Sequence, residues 1–97
     1  MTSPLEITVD DRDRATTLTI TGEIDMTNAE KFRGALDSAR PRQREVTIDL
    51  TGVEYLDSSA LAVLLPRAHE LRVIASAKLR RVLTIGGLTA LTTVEFV

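Results

Sequence analysis

Few side chains of this chain could do chemistry, and most of them crowd into two short stretches. Asp57-Ser58-Ser59 sets a carboxylate beside two hydroxyls, and Asp25-Met26-Thr27 adds a second carboxylate and a third hydroxyl. A serine next to an aspartate can serve as a nucleophile when a base activates it, as a helix cap, or as the acceptor of a phosphoryl group. The first use is poorly served. His69 is the single histidine, there is no cysteine, and no G-x-S-x-G elbow surrounds Ser58. Gly86-Gly87 lacks the Lys-Ser/Thr that follows in a phosphate-binding loop, and helix termination explains it more simply. The chain therefore reads as no enzyme, with no metal and no cofactor, and what remains is a hydroxyl that is acted upon.

The spacing around these residues predicts how they are held. Val46, Ile48 and Leu50 alternate with Thr47 and Asp49, the pattern of a strand with one buried face that ends near Leu50. A short link from Val53 to Leu56 then delivers Asp57 and Ser58 to a helix in which Leu61, Leu64, Leu65 and Ala68 recur at helical spacing. Asp and Ser suit that position because their oxygens accept hydrogen bonds from the free N–H groups of a first helical turn. Capping alone would account for the pair. Either way, the carboxylate and both hydroxyls should share an exposed strand-to-helix corner.

Upstream, Leu5, Ile7 and Val9 alternate with polar residues as a first strand, and the charged run Asp10 to Arg14 reads as a turn. Thr16 to Thr21 follows as the hairpin partner, with Leu18 and Ile20 inward and threonines outward. Gly22 should end that strand. Glu23 to Met26 lead into Thr27-Asn28-Ala29-Glu30, a capping box that opens a helix whose Ala29, Phe32, Leu36 and Ala39 form a core stripe, with Pro41 as its stop. A strand-helix-strand unit predicts a right-handed crossover with strands two and three parallel. Asp25 and the pair Asp57, Ser58 then meet at the carboxyl ends of these strands, where partners and ligands of such units gather.

The second half is less regular. Pro66 falls inside the second helix, where it removes a hydrogen bond, and a kink is expected near Ala62 to Pro66. Arg67 to Glu70 run almost directly into a fourth strand, Leu71 to Ala75, so either the chain is shortened there or the helix unwinds early. Ser76 opens a third helix with Leu79, Val82 and Leu83 on one face and Gly86-Gly87 at its end, and Thr93 to Val97 form a short strand or a tail. One-sided strands predict an α/β architecture, a mixed four- to five-stranded sheet with helices mainly on one face.

Composition narrows the function classes. At 97 residues the chain suits one domain, 1–97. The segment MTSPLEIT lacks the basic and apolar parts of a signal peptide, and the longest apolar run, Ala60 to Leu65, is far short of the roughly 20 residues that cross a bilayer. Export and membrane insertion are not expected, and the absence of cysteine is compatible with a reducing cytoplasm. A net charge of −2 argues against nucleic acid, and Arg40, Arg42 and Arg44 around Pro41 read as a solvated loop.

The string DLTGVEYLDSSALAVLL, together with TGEIDMTNAEKF, resembles the bacterial STAS-domain anti-sigma factor antagonists. Their pattern is a GE-hydrophobic-D stretch followed by DLS-x-V-hydrophobic-hydrophobic-DSSGL. With the strands around them, the two segments cover about two thirds of the chain. The resemblance implies a STAS fold, Ser58 as phosphoacceptor, Asp57 and Asp25 as flanking interface residues, and Ser59 and Thr27 as further partner-binding residues. It also implies the partners: an anti-sigma factor that is a serine kinase, and a PP2C-type phosphatase that reverses the modification. The unmodified form then frees sigma factor for transcription.

Ala60 and Ala62 stand where the pattern has Gly, which should stiffen the helix start by about 0.5 to 1 kcal/mol each and put methyl groups on a surface that partners approach. A phosphate adds about −1.5 to −2 charges. Helix N–H donors should let the free domain tolerate it, whereas a docked interface beside Asp57 and Asp25 would bury it without a cation. Two rival readings keep Ser58 unmodified: a permanent STAS subunit beside the ATPase of a complex such as a lipid transporter, and a small hydrolase using Ser58.

Overall fold

The computed structural model describes residues 4–39 and 45–97. Five strands run β1 (Glu6–Arg12), β2 (Ala15–Ile24), β3 (Glu45–Leu56), β4 (Leu71–Ala75) and β5 (Val94–Phe96). Four α-helices are interleaved: α1 (Ala29–Ala39), α2 (Ser58–Leu64), α3 (Arg80–Ile85) and α4 (Leu88–Leu91), with 3-10 turns over Leu65–Glu70 and Ala77–Leu79. The strands form one sheet in the order β1-β2-β3-β4-β5. The β1–β2 pair is antiparallel and the remaining pairs are parallel. Pro41 and the Arg40, Arg42, Arg44 group lie outside the described residues.

Alternation decides which face carries the core. Leu18 and Ile20 of β2, Val46, Ile48 and Leu50 of β3, and Leu71, Val73 and Ala75 of β4 are buried, while their neighbours Thr17, Thr47 and Arg72 are not. The helices cover the buried face with Phe32 and Leu36 of α1, Leu61 and Leu64 of α2, Leu83 of α3 and Leu88 of α4, and all join one hydrophobic cluster. The mixed sheet with its helices mainly on one face is the arrangement expected from one-sided strands. Thr16 is the exception on the inward face: it is buried, and its hydroxyl donates to Asp11 Oδ1 at 2.5 Å across the hairpin.

Several boundaries differ from the sequence expectation. The charged run Asp10 to Arg14 is mostly strand, since β1 pairs with β2 as far as Arg12↔Ala15 and only Asp13-Arg14 turn. Asp13 adopts φ 55, a left-handed conformation that a short polar side chain tolerates. Val9 is 53% exposed rather than inward, because residues 8–15 at this end of the hairpin all lie outside the core.

Gly22 does not end β2. It lies within the strand at φ +96, where a side chain would meet the Pro4 carbonyl oxygen at 2.0 Å. Strand β3 likewise does not stop at Leu50; the stretch read as a link is paired strand to Leu56. Between Thr19 and Thr21 of β2, β3 advances from Asp49 to Gly52, and between Gly22 and Glu23 it advances from Val53 to Tyr55. Each step places one extra residue in β3. Such bulges bend a strand and re-aim its end, and a period-two pattern does not reveal them.

Pro66 produces no kinked α-helix. The helix ends at Leu64 and tightens into the 3-10 turn Leu65–Glu70, with Pro66 near its start, and β4 begins at the next residue. Of the two readings, the helix does change winding early, and no separate loop intervenes. A 3-10 turn rises about 2.0 Å per residue against 1.5 Å for an α-helix, so six residues span further and the short connection reaches the sheet. Arg67 fastens this turn to α1, donating from Nε and Nη2 to Asp37 Oδ1 at 3.0 and 2.8 Å. At the end of the chain Thr93 to Val97 resolves into the short strand β5 rather than a tail.

Gly22→Ala tests the left-handed residue within β2 and its close approach to Pro4. A left-handed residue with a Cβ costs about 1 to 2 kcal/mol and overpacking about 1 to 3 more, so the variant should lose roughly 2 to 5 kcal/mol of stability. Chemical denaturation measures it; an unchanged midpoint would show that the segment at Pro4 moves freely aside.

Candidate functional site

Strands β2 and β3 end side by side, at the pair Ile24↔Leu56, and the Asp57 N–H donates to the Ile24 carbonyl at 3.2 Å. The residues that follow, Asp25-Met26-Thr27 and Asp57-Ser58-Ser59, therefore occupy one edge of the sheet, as the parallel crossover required. Asp57 is half-buried, Ser58 exposed and Ser59 half-buried.

Asp57 rather than Ser58 is the cap of α2. Its Oδ1 accepts from the Ser59 N–H at 2.9 Å, from the Ala60 N–H at 3.4 Å and from the Ser59 hydroxyl. Ser58 is the first helical residue, and its side chain makes no hydrogen bond among the described residues. The Ser59 hydroxyl above all, with backbone N–H groups of Ser59, Ala60 and Met26, holds the Asp57 carboxyl below its ordinary range against an opposing push from partial burial. Two of the N–H donors of the first turn are thus already engaged, contrary to the expectation that they stand open to a phosphate.

The second loop is built the same way. Asp25 Oδ1 accepts from the Thr27 N–H at 2.9 Å and the Thr27 hydroxyl at 2.5 Å. The capping box expected of Thr27 and Glu30 does not form, because Thr27 is bound to Asp25 and α1 starts at Ala29. Asn28 replaces it: its Oδ1 accepts from the Asp25 N–H and its Nδ2 donates to the Glu23 carbonyl, both at 2.9 Å. Aspartate bonding the residue two positions on is a local turn chemistry that competes with capping.

The alanines that replace glycine behave differently from each other. Ala60 is fully buried, so its methyl belongs to the core and not to a docking surface; Ala62 is exposed. On the far side of Ser58, α3 and the 3-10 turn before it bring residues of which the sequence pattern singles out only Val82, as part of a helix face. Ser58, Leu61, Lys78, Arg81, Val82 and Ile85 line an open cleft of about 470 Å³. Gly86 permits the approach, since a Cβ there would fall 2.5 Å from Leu61 Cδ1. Ser58 therefore follows the Asp57 carboxylate and lines a cleft together with two cations, Lys78 and Arg81. No sequence signal links Lys78 and Arg81 to Ser58, because the contact is set by how α3 packs.

Among the described residues no three His, Cys, Asp or Glu side chains gather as a metal site, and His69 is exposed in the 3-10 turn. No helix is long and apolar enough to cross a membrane.

The chain matches the family model described as "Mlab, STAS domain" over residues 7–93. Among solved structures it is similar to an anti-sigma factor antagonist from Mycobacterium paratuberculosis, at 25% identity and TM-score 0.86 over 95% of this chain and 86% of that one. It is also similar to SpoIIAA, an anti-sigma factor antagonist, in its unphosphorylated form, at 19% identity and TM-score 0.71 over 92% of this chain and 87% of that one. The Bacillus cell fate determinant SpoIIAA in its phosphorylated form follows at 18% identity and TM-score 0.66 over 92% and 90%. At these lower identities the likeness is one of fold. No curated protein sequence matches.

Asp57→Ala should cost about 1 kcal/mol of stability, within 0.5 to 2, and Asp57→Asn less because an acceptor is kept. The sign with pH follows from the lowered carboxyl. Between its folded value and the ordinary value near 3.8 the unfolded chain binds more protons, so stability rises with pH. The advantage of wild type over Asp57→Asn should be full above about pH 4 and fade as pH falls through the folded value. A difference that stays flat on acidification would remove the charge from the cap.

Proposed function

We propose that this chain, which belongs to the STAS-domain family, works as an anti-sigma factor antagonist whose binding is switched at Ser58. The unphosphorylated form binds an anti-sigma factor that is also a serine kinase and so releases sigma factor; phosphorylation of Ser58 blocks that binding, and a PP2C-type phosphatase restores it. The observation that carries the reading is the contrast within the triplet: Asp57 and Ser59 are bound to each other, while the Ser58 hydroxyl is exposed and without a hydrogen bond among the described residues. In the transfer, the bond from Ser58 Oγ to the γ-phosphorus of ATP forms as the bond to ADP breaks, and the hydroxyl proton passes to a base of the kinase. Asp25, Thr27, Asp57 and Ser59 surround the acceptor as partner-binding residues. The role places the protein in the cytoplasm and gives it neither catalysis nor direct contact with nucleic acid.

The physics of the switch is local. A phosphate on Ser58 stands beside the Asp57 carboxylate, whose hold on the Ser59 and Ala60 N–H groups leaves it those donors only by displacement. Covering that dianion beside the Asp57 carboxylate costs several kcal/mol wherever the partner brings no further cation, enough to weaken docking about a hundredfold or more. The free domain need not rearrange. The fold resembles SpoIIAA both unphosphorylated and phosphorylated, which supports a modification that leaves the architecture in place.

A second reading is favoured by the description of the matching family model, "Mlab, STAS domain". Here the chain is a permanent subunit of a multiprotein complex such as a lipid transporter, and Ser58 is an unmodified contact. Intact mass from the native cell without phosphate, together with co-purification of an ATPase, would establish it in place of the first.

Ser58→Ala should fold with stability within about 0.5 kcal/mol of wild type, since the side chain is exposed. Incubated with the cognate kinase and ATP it should take up no phosphate, measured by intact mass, and Ser58→Glu should lose the kinase in a pull-down. Phosphate retained on Ser58→Ala would remove Ser58 from the role.

A further inference from the structure

We propose that the cleft between α2 and α3 is a docking groove for a partner segment with acidic side chains around an apolar anchor. The inference deepens the function proposed above and rests on it for the biological partner, though the groove stands on its own geometry. The floor is apolar: Leu61, Val82 and Ile85 face it, and Ile85 is 75% exposed, a large uncovered side chain beside the reactive corner. Beside it, the outer face of α3 and the turn before it carries an open depression of about 420 Å³ that shares Lys78, Arg81 and Ile85 and adds Ala77, Arg80 and Thr84. An open groove that passes onto the outer face of α3 suits an elongated segment better than a compact small molecule.

Charge decides the partner. On a chain with net charge −2, Lys78, Arg80 and Arg81 fall within four positions at this rim. Lys78 Nζ is paired with Glu54 Oε2 at 2.8 Å, and Arg80 lies 4.4 Å over the Phe96 ring. Arg81 has no carboxylate partner among the described residues. A cation at the edge of an apolar surface is desolvated when that surface is covered, and an incoming carboxylate offsets the loss, whereas a basic partner would deepen it. Asp57, next to Ser58, and Glu54, paired with Lys78, put carboxylates beside the groove and would repel a uniformly anionic lipid surface. A peptide can place its acids away from them, so a protein segment is the better fit.

The groove also adds to the switch. Ser58 lines it, so a phosphate there would meet Lys78 and Arg81 and take the cations that the partner's acids need. The modification then blocks docking by occupying the groove as well as by repulsion.

A random peptide display library selected on the full chain tests this, followed by fluorescence anisotropy of the enriched peptides. Enriched sequences should carry Asp or Glu around a Leu, Ile or Phe anchor. Arg81→Glu and Ile85→Asp should each weaken them about tenfold or more, while Arg12→Glu at the hairpin end leaves them unchanged. Both groove residues are solvent-facing, and circular dichroism checks that the variants fold. The proposal is overturned by no enrichment, by neutral or basic sequences, or by binding insensitive to both variants. Self-association or binding to phosphatidylglycerol vesicles that Ile85→Asp abolishes would equally overturn it, by assigning the groove to a second copy or a membrane. Failure here leaves phosphate uptake at Ser58 untouched, and failure of Ser58 as acceptor leaves peptide binding untouched, so the two readings fall separately.

Discussion

One carboxylate sets the conditions for the whole corner. By taking the Ser59 hydroxyl and two N–H groups of the first turn, Asp57 starts α2, fixes the direction in which that helix leaves the sheet, and turns the residue between them outward. A helix of seven residues has little intrinsic stability, because nucleation costs more than a few hydrogen bonds return. It persists because a cap satisfies its start and Ala60, Leu61, Val63 and Leu64 bury its inner face. Ser58 contributes to neither, which leaves it available for a role unrelated to folding.

The corner is positioned by the sheet. Two bulges in β3 lengthen it relative to β2, so that both strands still end at the same level and Asp25 and Asp57 follow adjacent residues. Without the extra residues β3 would run two positions out of step with β2, and Asp57 would no longer follow the residue paired with Ile24. The Asp25 and Asp57 loops then repeat one local device, an aspartate bonding the N–H and hydroxyl two positions on, and a third copy at Asp49 and Thr51 sits where the first bulge lies. Short-range polar contacts shape the edge, and long-range apolar contacts hold it against the core.

This division explains what could be read from the chain alone. The strands, the parallel β2–β3 pair, the one-sided core and the meeting of Asp25 with Asp57 follow from periodicity and crossover geometry, and they match the structure. The misplaced features share a different cause. Gly22 and the residues after Leu50 looked like breaks because glycine and polar residues usually are, but a bulge uses the same residues without ending the strand. Thr27 fits the capping pattern, yet Asp25 competes for it at shorter range. Pro66 predicts a kink inside a continuing helix, but the α-helix stops before it, and the 3-10 continuation depends on the distance left to β4. Lys78 and Arg81 were invisible as site residues, since their nearness to Ser58 arises from α3 packing on α2 through Gly86.

That packing changes how the site works electrostatically. A serine among carboxylates alone would oppose both an acidic partner and its own phosphate, leaving repulsion as the only effect. With the Asp57 carboxylate just before it and Lys78 and Arg81 lining the same cleft, the hydroxyl stands near charges of both signs. In the proposed switch a neutral hydroxyl there would let an acidic partner reach the cations, and a phosphate would close the same path by neutralising them. The energy of such a contact is largest where water is excluded, and the apolar floor of Leu61, Val82 and Ile85 provides that exclusion when covered. In that proposed switch, specificity for a partner and sensitivity to one phosphate would be two consequences of a single arrangement: cations set at the edge of an apolar groove, with the Ser58 hydroxyl at its mouth.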